Sequence, residues 1–443
     1  MKTLFNGARW VFGGRSGTAA TVQTLLVRLL TMATNMGTGI ITARVLEPVG
    51  RGEQAAMGMW PMFLGYAMTL GLPAALRYNL KRYPGEESEL FSAALLMSTG
   101  LGIVATITGI MFIPLWLGKY SAEVIHFAQW LMLTAPVVLI SATLVATLEA
   151  AGEFTIANQM GYLPPLITLA VLIVLALTHG LTPFTAALAY LLAGLPIYFW
   201  MLIRVWNFYH PRWRGLSVSY KRLTSYGLRA YGIDLLGTLS GQLDQALVIS
   251  LLAPTSMGLY VVALSLSRML NILQSSVVTV LLPKTAARPV EEIVALTGRA
   301  ARISAALTFL AAIAVILVGP VMLHLLYGAK YMGAIPVFRI LVIEVVVGGT
   351  LWVLAQAFMA AGRPGTVTLL QGLGLGLSVP LMLVLIPAYG VEGAGLALLG
   401  STTARLVFVL MSYPLILKVR PPGLLITRED WRFVQQIIQA KKG

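Results

Sequence analysis

The chain has 443 residues, 58% hydrophobic and only 11% charged, with a mean hydropathy of +0.84. An ordinary soluble domain carries roughly 25% charged residues, so this composition excludes a string of soluble domains and indicates a polytopic α-helical membrane protein. The absence of cysteine excludes disulfides, thiolate metal sites and a cysteine nucleophile, and the net charge of +15 calls for a topological account.

A spanning helix needs about 20 mostly apolar residues. Charges, Pro and Gly divide the chain into twelve such segments, near 21–43, 54–76, 90–116, 124–148, 154–178, 183–205, 228–252, 257–282, 301–326, 334–360, 365–387 and 392–417. Lys2, Arg9 and Arg15 precede the first, which lacks a short apolar core ending at a cleavage site and therefore reads as a permanent span. These spans predict an N-terminal six-helix lobe (1–205), a cytoplasmic amphipathic linker (206–227), a C-terminal six-helix lobe (228–417) and a cytoplasmic amphipathic tail (418–443).

Counted with the bordering span ends (204–229 and 284–302), the even-numbered connections and both termini hold 23 of the 31 Lys and Arg; the odd-numbered connections hold four, and the span interiors another four. By the positive-inside rule both termini are cytoplasmic. The charge is topology, and no nucleic-acid partner is implied. The four histidines are scattered without ligand spacing, and no G-x-x-x-x-G-K-[ST] loop is present, so neither a histidine metal site nor an ATPase is expected. Glu86, Glu87 and Glu89, like Glu291 and Glu292, read as solvated loop charges, and Gly372-Leu-Gly374-Leu-Gly376 as helix packing.

Several spans carry polar or charged residues, which are costly in a bilayer and usually face a bundle interior or a watery cavity. Arg28, Thr31, Asn35, Thr38 and Thr42 in the first span are spaced 3, 4, 3 and 4, so all five share one helix face. The alternative is that the hydroxyls bond backbone and Arg28 snorkels. In the eighth span Arg268, Asn271 and Ser275 lie at i, i+3 and i+7, with Gln274 beside them. Arg268 is about twelve residues into that span, too deep to snorkel easily, and is a candidate anion contact.

The seventh span holds Asp234 and Asp244, about 15 Å apart along a helix and too distant to act as a pair. Asp244 is expected to pair with Arg268 or Arg28, or else to hold a coupling cation, H+ or Na+; no other cofactor and no metal is expected. Glu344 in the tenth span needs a partner on another helix, because Arg339 stands at an unfavourable spacing of five. Arg405 in the twelfth is a comparable candidate. The 206–227 stretch interleaves Tyr209, Trp213, Tyr220 and Tyr226 with basic residues, which fits either a headgroup-binding linker or a plain aromatic belt. Thr427-x-x-Asp430 opens the tail as a capping box, with Trp431, Val434 and Ile438 on one face.

The chain repeats itself. Leu46-x-Pro48-x-x-x-Gly52 recurs as Leu252-x-Pro254-x-x-x-Gly258, Leu72-Pro73 as Leu282-Pro283, Ala150-Ala151-Gly152 as Ala360-Ala361-Gly362, and Gly180 as Gly390, at offsets of 206 to 210. An offset of six helices keeps both halves in one orientation, so a parallel 6+6 repeat is predicted, with a substrate site between the halves.

Ala43-Arg44-Val45-Leu46-x-Pro48-x-Gly50-Arg51-Gly52-Glu53 resembles the first loop of Wzx-type polysaccharide flippases of the multidrug/oligosaccharidyl-lipid/polysaccharide exporter superfamily. Leu243-Asp244-Gln245, Pro254-x-x-x-Gly258-Leu-Tyr260-x-x-Ala263 and Leu282-Pro283 extend the resemblance. It implies a V-shaped, two-lobed, non-enzymatic transporter in the bacterial inner membrane. Its substrate would be an undecaprenyl-diphosphate-linked oligosaccharide for O-antigen, exopolysaccharide or capsule, and its partners the membrane lipids and the glycan polymerase and glycosyltransferases of that pathway. Two alternatives stand beside it. A cation-coupled multidrug exporter would favour an acidic, aromatic site; a glycosyltransferase or polymerase would favour a long outer loop with carboxylates.

Overall fold

The computed structural model describes residues 17–285, 288–428 and 430; for 17–28, 154, 155, 158, 233, 234, 279, 280 and 282–284 it describes the backbone alone. Among the described residues the chain is all-helical, and every apolar segment expected above overlaps a helix. Seven helices are long and apolar enough to cross a membrane, or up to nine if each of two bent pairs is one span. This is a multi-pass membrane protein.

The helices, in order, are α1 (Gly17–Ala67), α2 (Leu72–Arg82), α3 (Glu87–Trp116), α4 (Ala122–Leu131), α5 (Ala135–Ala151), α6 (Phe154–Leu177), α7 (Pro183–Leu192), α8 (Leu195–Tyr209) and α9 (Ser217–Leu251). They are followed by α10 (Pro254–Arg268), α11 (Asn271–Thr285), α12 (Val290–Met322), α13 (Ile335–Ala360) and α14 (Pro364–Ser412).

Two elements are too long for one crossing. The 51 residues of α1 would run about 77 Å if straight, more than twice the hydrocarbon thickness of about 30 Å. Each is broken by a residue outside helical geometry. Glu47 (φ 59°, ψ 177°) interrupts α1, and the following Pro48 disfavours helical geometry at that residue. Gly390 (φ 58°, ψ −133°) interrupts α14, where glycine carries the positive φ without strain. Both breaks fall in connections expected from the sequence. The repeated Ala-Ala-Gly motifs also end helices alike, with Gly152 (φ 80°) after α5 and Gly362 (φ 72°) after α13.

The chain forms two compact units that divide after Thr238, inside α9. In the first, α3 packs tightly on the continuous helical segment 122–151. A Cβ on Gly102 would overlap Pro136, and one on Gly109 would overlap Met132. Beside them Ser98 and Thr143 join their hydroxyls at 2.5 Å, and Thr106 donates to the Met132 carbonyl at 2.9 Å. Small residues and hydroxyls are the usual means of close helix packing in lipid, where no hydrophobic force separates helices from tails.

Residues 206–227 end α8, turn, and begin α9, packing within the first unit: Leu223 joins a core with Leu72, Leu76, Leu80 and Leu90. Glu86 and Glu89 are not simply solvated, as their loop-like sequence suggests. Glu86 pairs with Arg222 at 2.5 Å and Glu89 with Arg212 at 3.5 Å. Arg222 also stands 3.8 Å above the Tyr83 ring.

In the second unit α13 is the central helix; its buried face meets α10, α11, α12 and α14. Gly319 accommodates the Phe338 ring where α12 and α13 meet. Thr427 and Asp430 form the expected capping box, and Asp430 also accepts a bidentate pair from Arg302 (2.6 and 2.9 Å). That guanidinium holds the Asp430 carboxyl well below the usual carboxylate range. Trp431, Val434 and Ile438 lie outside the described residues.

Candidate functional site

The expected eighth span is not one straight helix. It bends by 43° between α10 and α11. The amides of Met269, Leu270, Ile272 and Leu273 bond carbonyls three residues back, not four. Such a tightened turn inside a helix commonly marks a hinge or a functional break. Arg268 is the last residue of α10 and Asn271 the first of α11. The single-face spacing of Arg268, Asn271 and Ser275 assumed an unbroken helix, and the turn corrects it. The break has an electrostatic consequence: Arg268 faces the negative carbonyl end of α10, and Asn271 begins the positive amide end of α11.

Arg268 and Asn271 line a cavity of about 250 Å³ inside the second unit, with Glu344, Gln371, Thr402 and Arg405. Glu344, on α13, is 5% exposed. One of its oxygens lies 3.3 Å from Arg268 Nη1, and the other accepts from Thr402 Oγ1 at 2.9 Å. Arg405 borders the same cavity, and its Nε is buried without a hydrogen-bond partner among the described residues. Among the described residues of the lining, two guanidiniums therefore stand against one carboxylate, one positive charge in excess.

Glycines make the room. A Cβ on Gly348 would come 3.2 Å from a Glu344 oxygen, one on Gly374 would overlap the Arg405 stem, and one on Gly349 would overlap Gln274. Gly374 belongs to the run read as helix packing; what packs on it is this cationic side chain.

Of the partners expected for Asp244, the Arg28 side chain lies outside the described set, and Arg268 attracts Asp244 but makes its ion pair elsewhere. Arg268 takes Glu344, whereas Asp244, 7% exposed, accepts from Tyr260 Oη at 2.7 Å. The other Asp244 oxygen has no hydrogen-bond partner among the described residues. A tyrosine supplies the hydrogen bond to Asp244, and Arg268 acts on it only through space.

The remaining candidates are dispersed. Gln274 is buried in the helix contact and donates to Thr308 at 3.2 Å and to the Val345 carbonyl at 3.4 Å; it does not line the cavity. Ser275 bonds the Ile272 carbonyl, and Arg339 is exposed. In the first span Thr38 and Thr42 are buried with their hydroxyls on backbone carbonyls of their own helix. Thr31 reaches the Gly161 carbonyl at 3.3 Å, and Asn35 is exposed. The side chains of Arg28 and Asp234 lie outside the described set.

Sequence reasoning missed Thr402, Gly374 and Tyr260. Tyr260 had a signal, as part of the Pro254-x-x-x-Gly258-Leu-Tyr260 motif, and Gly374 had one as part of the Gly372-Leu-Gly374-Leu-Gly376 run; Thr402 had none.

The family described as polysaccharide biosynthesis protein matches residues 41–336, two thirds of the chain. The chain belongs to that family. No curated protein sequence matches it. Among solved structures it is similar to the lipid II flippase MurJ in an inward closed conformation (TM-score 0.78, 14% identity, 90% of this chain and 88% of that one). It is also similar to an inward-facing multidrug resistance MATE family transporter of the MOP superfamily (TM-score 0.70, 14% identity, 89% and 98%). A third is a MOP superfamily transporter from Pyrococcus furiosus (TM-score 0.55, 14% identity, 92% and 97%). At these identities the likeness establishes a shared fold.

Proposed function

We propose that the chain is a flippase that carries an undecaprenyl-diphosphate-linked oligosaccharide across the bacterial inner membrane for assembly of O-antigen, exopolysaccharide or capsule. Twelve spans form two six-helix lobes with both termini cytoplasmic, and the lobes alternate access while the lipid tail stays in the bilayer. The observation that carries this reading is the cationic cavity of the second unit. A lipid diphosphate brings charge that hydrocarbon rejects, and the fork geometry of Arg268 and Arg405 suits its oxygens. The family match and the flippase fold of MurJ support the same class.

Catalysis plays no part in this reading. The polymerase and glycosyltransferases are partners of the pathway, and any coupling cation, H+ or Na+, would be sought at Asp244. A cation-coupled multidrug exporter is the weaker reading, because the one carboxylate of the cavity is already paired with Arg268 and Thr402.

Purified protein in nanodiscs should bind undecaprenyl diphosphate at least tenfold more tightly than the cationic dye ethidium. The reverse order would favour the exporter. For topology, single cysteines placed in this cysteine-free chain near positions 215 and 290 should resist an impermeant thiol reagent in intact cells, and those near 120 and 255 should react. Labelling at 215 would contradict the twelve-span orientation.

A further inference from the structure

The first unit contains a second cavity, larger than the cationic one at about 600 Å³, within the range of roughly 300–1,000 Å³ usual for small-molecule sites. Tyr66, Thr69, Arg77, Ser141, Tyr198 and Thr238 line it. These residues come from α1, the turn that follows it, α2, α5, α8 and α9.

Its chemistry differs from that of the second unit. Among the described residues Arg77 is the only charged one of the lining, and it pairs with Glu149 at 2.6 Å. Among the described residues the cavity therefore offers no surplus cation for a phosphate and no free carboxylate for a cationic drug. What it does offer is two aromatic rings and several hydroxyls. The hydroxyls of Tyr66 and Tyr198 have no hydrogen-bond partner among the described residues. Thr69 and Ser141 spend their protons on the carbonyls of Tyr66 (3.0 Å) and Val138 (2.7 Å), which leaves their lone pairs to accept.

Neutral, amphipathic and rich in acceptors, this lining matches a sugar. A pyranose presents a C–H face that packs on the negative face of an aromatic ring, and a rim of hydroxyls that donate to such oxygens. The Tyr198 ring is set in place by Gly194, where a Cβ would fall 2.9 Å from the ring and 3.2 Å from Pro164. In the proposed orientation Arg77, within α2, and Glu149, near the end of α5, lie on the cytoplasmic side, where a finished lipid-linked glycan is presented.

We infer that this cavity is a binding site for the neutral sugars of the substrate, distinct from the cationic cavity that takes the diphosphate. The inference rests on the flippase reading above and adds to it a second subsite with its own residues.

The test compares two probes on the full chain in nanodiscs: bare undecaprenyl diphosphate, and the same lipid carrying a neutral hexose trisaccharide. Wild type should bind the glycosylated lipid at least tenfold more tightly. The Tyr66→Ala, Tyr198→Ala double variant should lose that preference while keeping wild-type affinity for the bare lipid. The corresponding Phe double variant, which keeps the rings, should retain part of it. If the Ala double variant does not reach the membrane, Gly194→Val, which displaces the Tyr198 ring, should give the same selective loss.

A wild type that binds both lipids equally would overturn the sugar site and leave the diphosphate reading standing. So would an Ala double variant that keeps the preference, or one that loses both lipids alike. A wild type that binds neither lipid would remove the flippase reading, and this inference with it.

Discussion

Arg268→Ala is expected to lower the amount of folded protein in the membrane sharply, and adding Glu344→Gln is expected to restore that amount without restoring transport. Glu344 is 5% exposed, and without Arg268 it keeps only the Thr402 hydroxyl on one oxygen. Removing one partner of a buried ion pair costs about 3–5 kcal/mol when the other charge is left uncompensated; here Arg405, in the same cavity, still attracts Glu344 and offsets part of that cost. Arg268 is itself 41% exposed, so the lower end of that range applies. Neutralising Glu344 removes the orphaned charge and should recover most of the loss. Transport is the second readout: an arginine that serves only as a structural partner would be dispensable once Glu344 is neutral, and the double variant would export normally. Membrane abundance by fluorescence-detected gel filtration, read beside glycan export, separates the two roles.

Gly374→Val is expected to reduce transport at least tenfold at an unchanged protein level. A side chain at this position would overlap the aliphatic stem and Nε of Arg405. Arg405 has a flexible stem, so it swings aside and its guanidinium leaves the cavity. The helix itself does not suffer, since a glycine in a helix interior is the least favourable residue short of proline. Gly376→Val is the internal control. The same substitution two residues on meets nothing within 4 Å and should leave transport near wild type. Equal loss from both would indicate that the helix surface, not Arg405, is what matters.

Much of the fold was legible from apolar run length, because lipid demands long helices with internally satisfied backbones. Pro48 announces the break at Glu47, and glycine announces those at Gly390 and Gly362. The bend between α10 and α11 was not legible: Arg268-Met269-Leu270-Asn271 contains neither proline nor glycine, and only the shift to three-residue hydrogen bonds reveals it.

The site was legible in its ingredients and not in its pairing. Intramembrane Arg268, Glu344 and Arg405 stood out by cost alone. Which carboxylate meets which arginine depends on how α10, α13 and α14 pack, and periodicity within one helix carries no such information. The hydroxyl stripe of the first span shows the opposite failure. Thr38 and Thr42 have the right spacing for a polar face, yet their protons are taken by the helix backbone.

The central claim is that a cationic cavity moves a diphosphate-linked glycan across the bilayer. It is tested most directly by reconstituting the purified chain in proteoliposomes whose outer leaflet carries undecaprenyl diphosphate linked to a fluorescent oligosaccharide. Protection of the label from an impermeant quencher is then followed over time. Wild type should protect the label at least tenfold faster than protein-free vesicles, and the Arg268→Ala, Glu344→Gln variant should fall to the protein-free rate. Wild-type vesicles that leave the glycan lipid in place while accumulating ethidium would contradict the account.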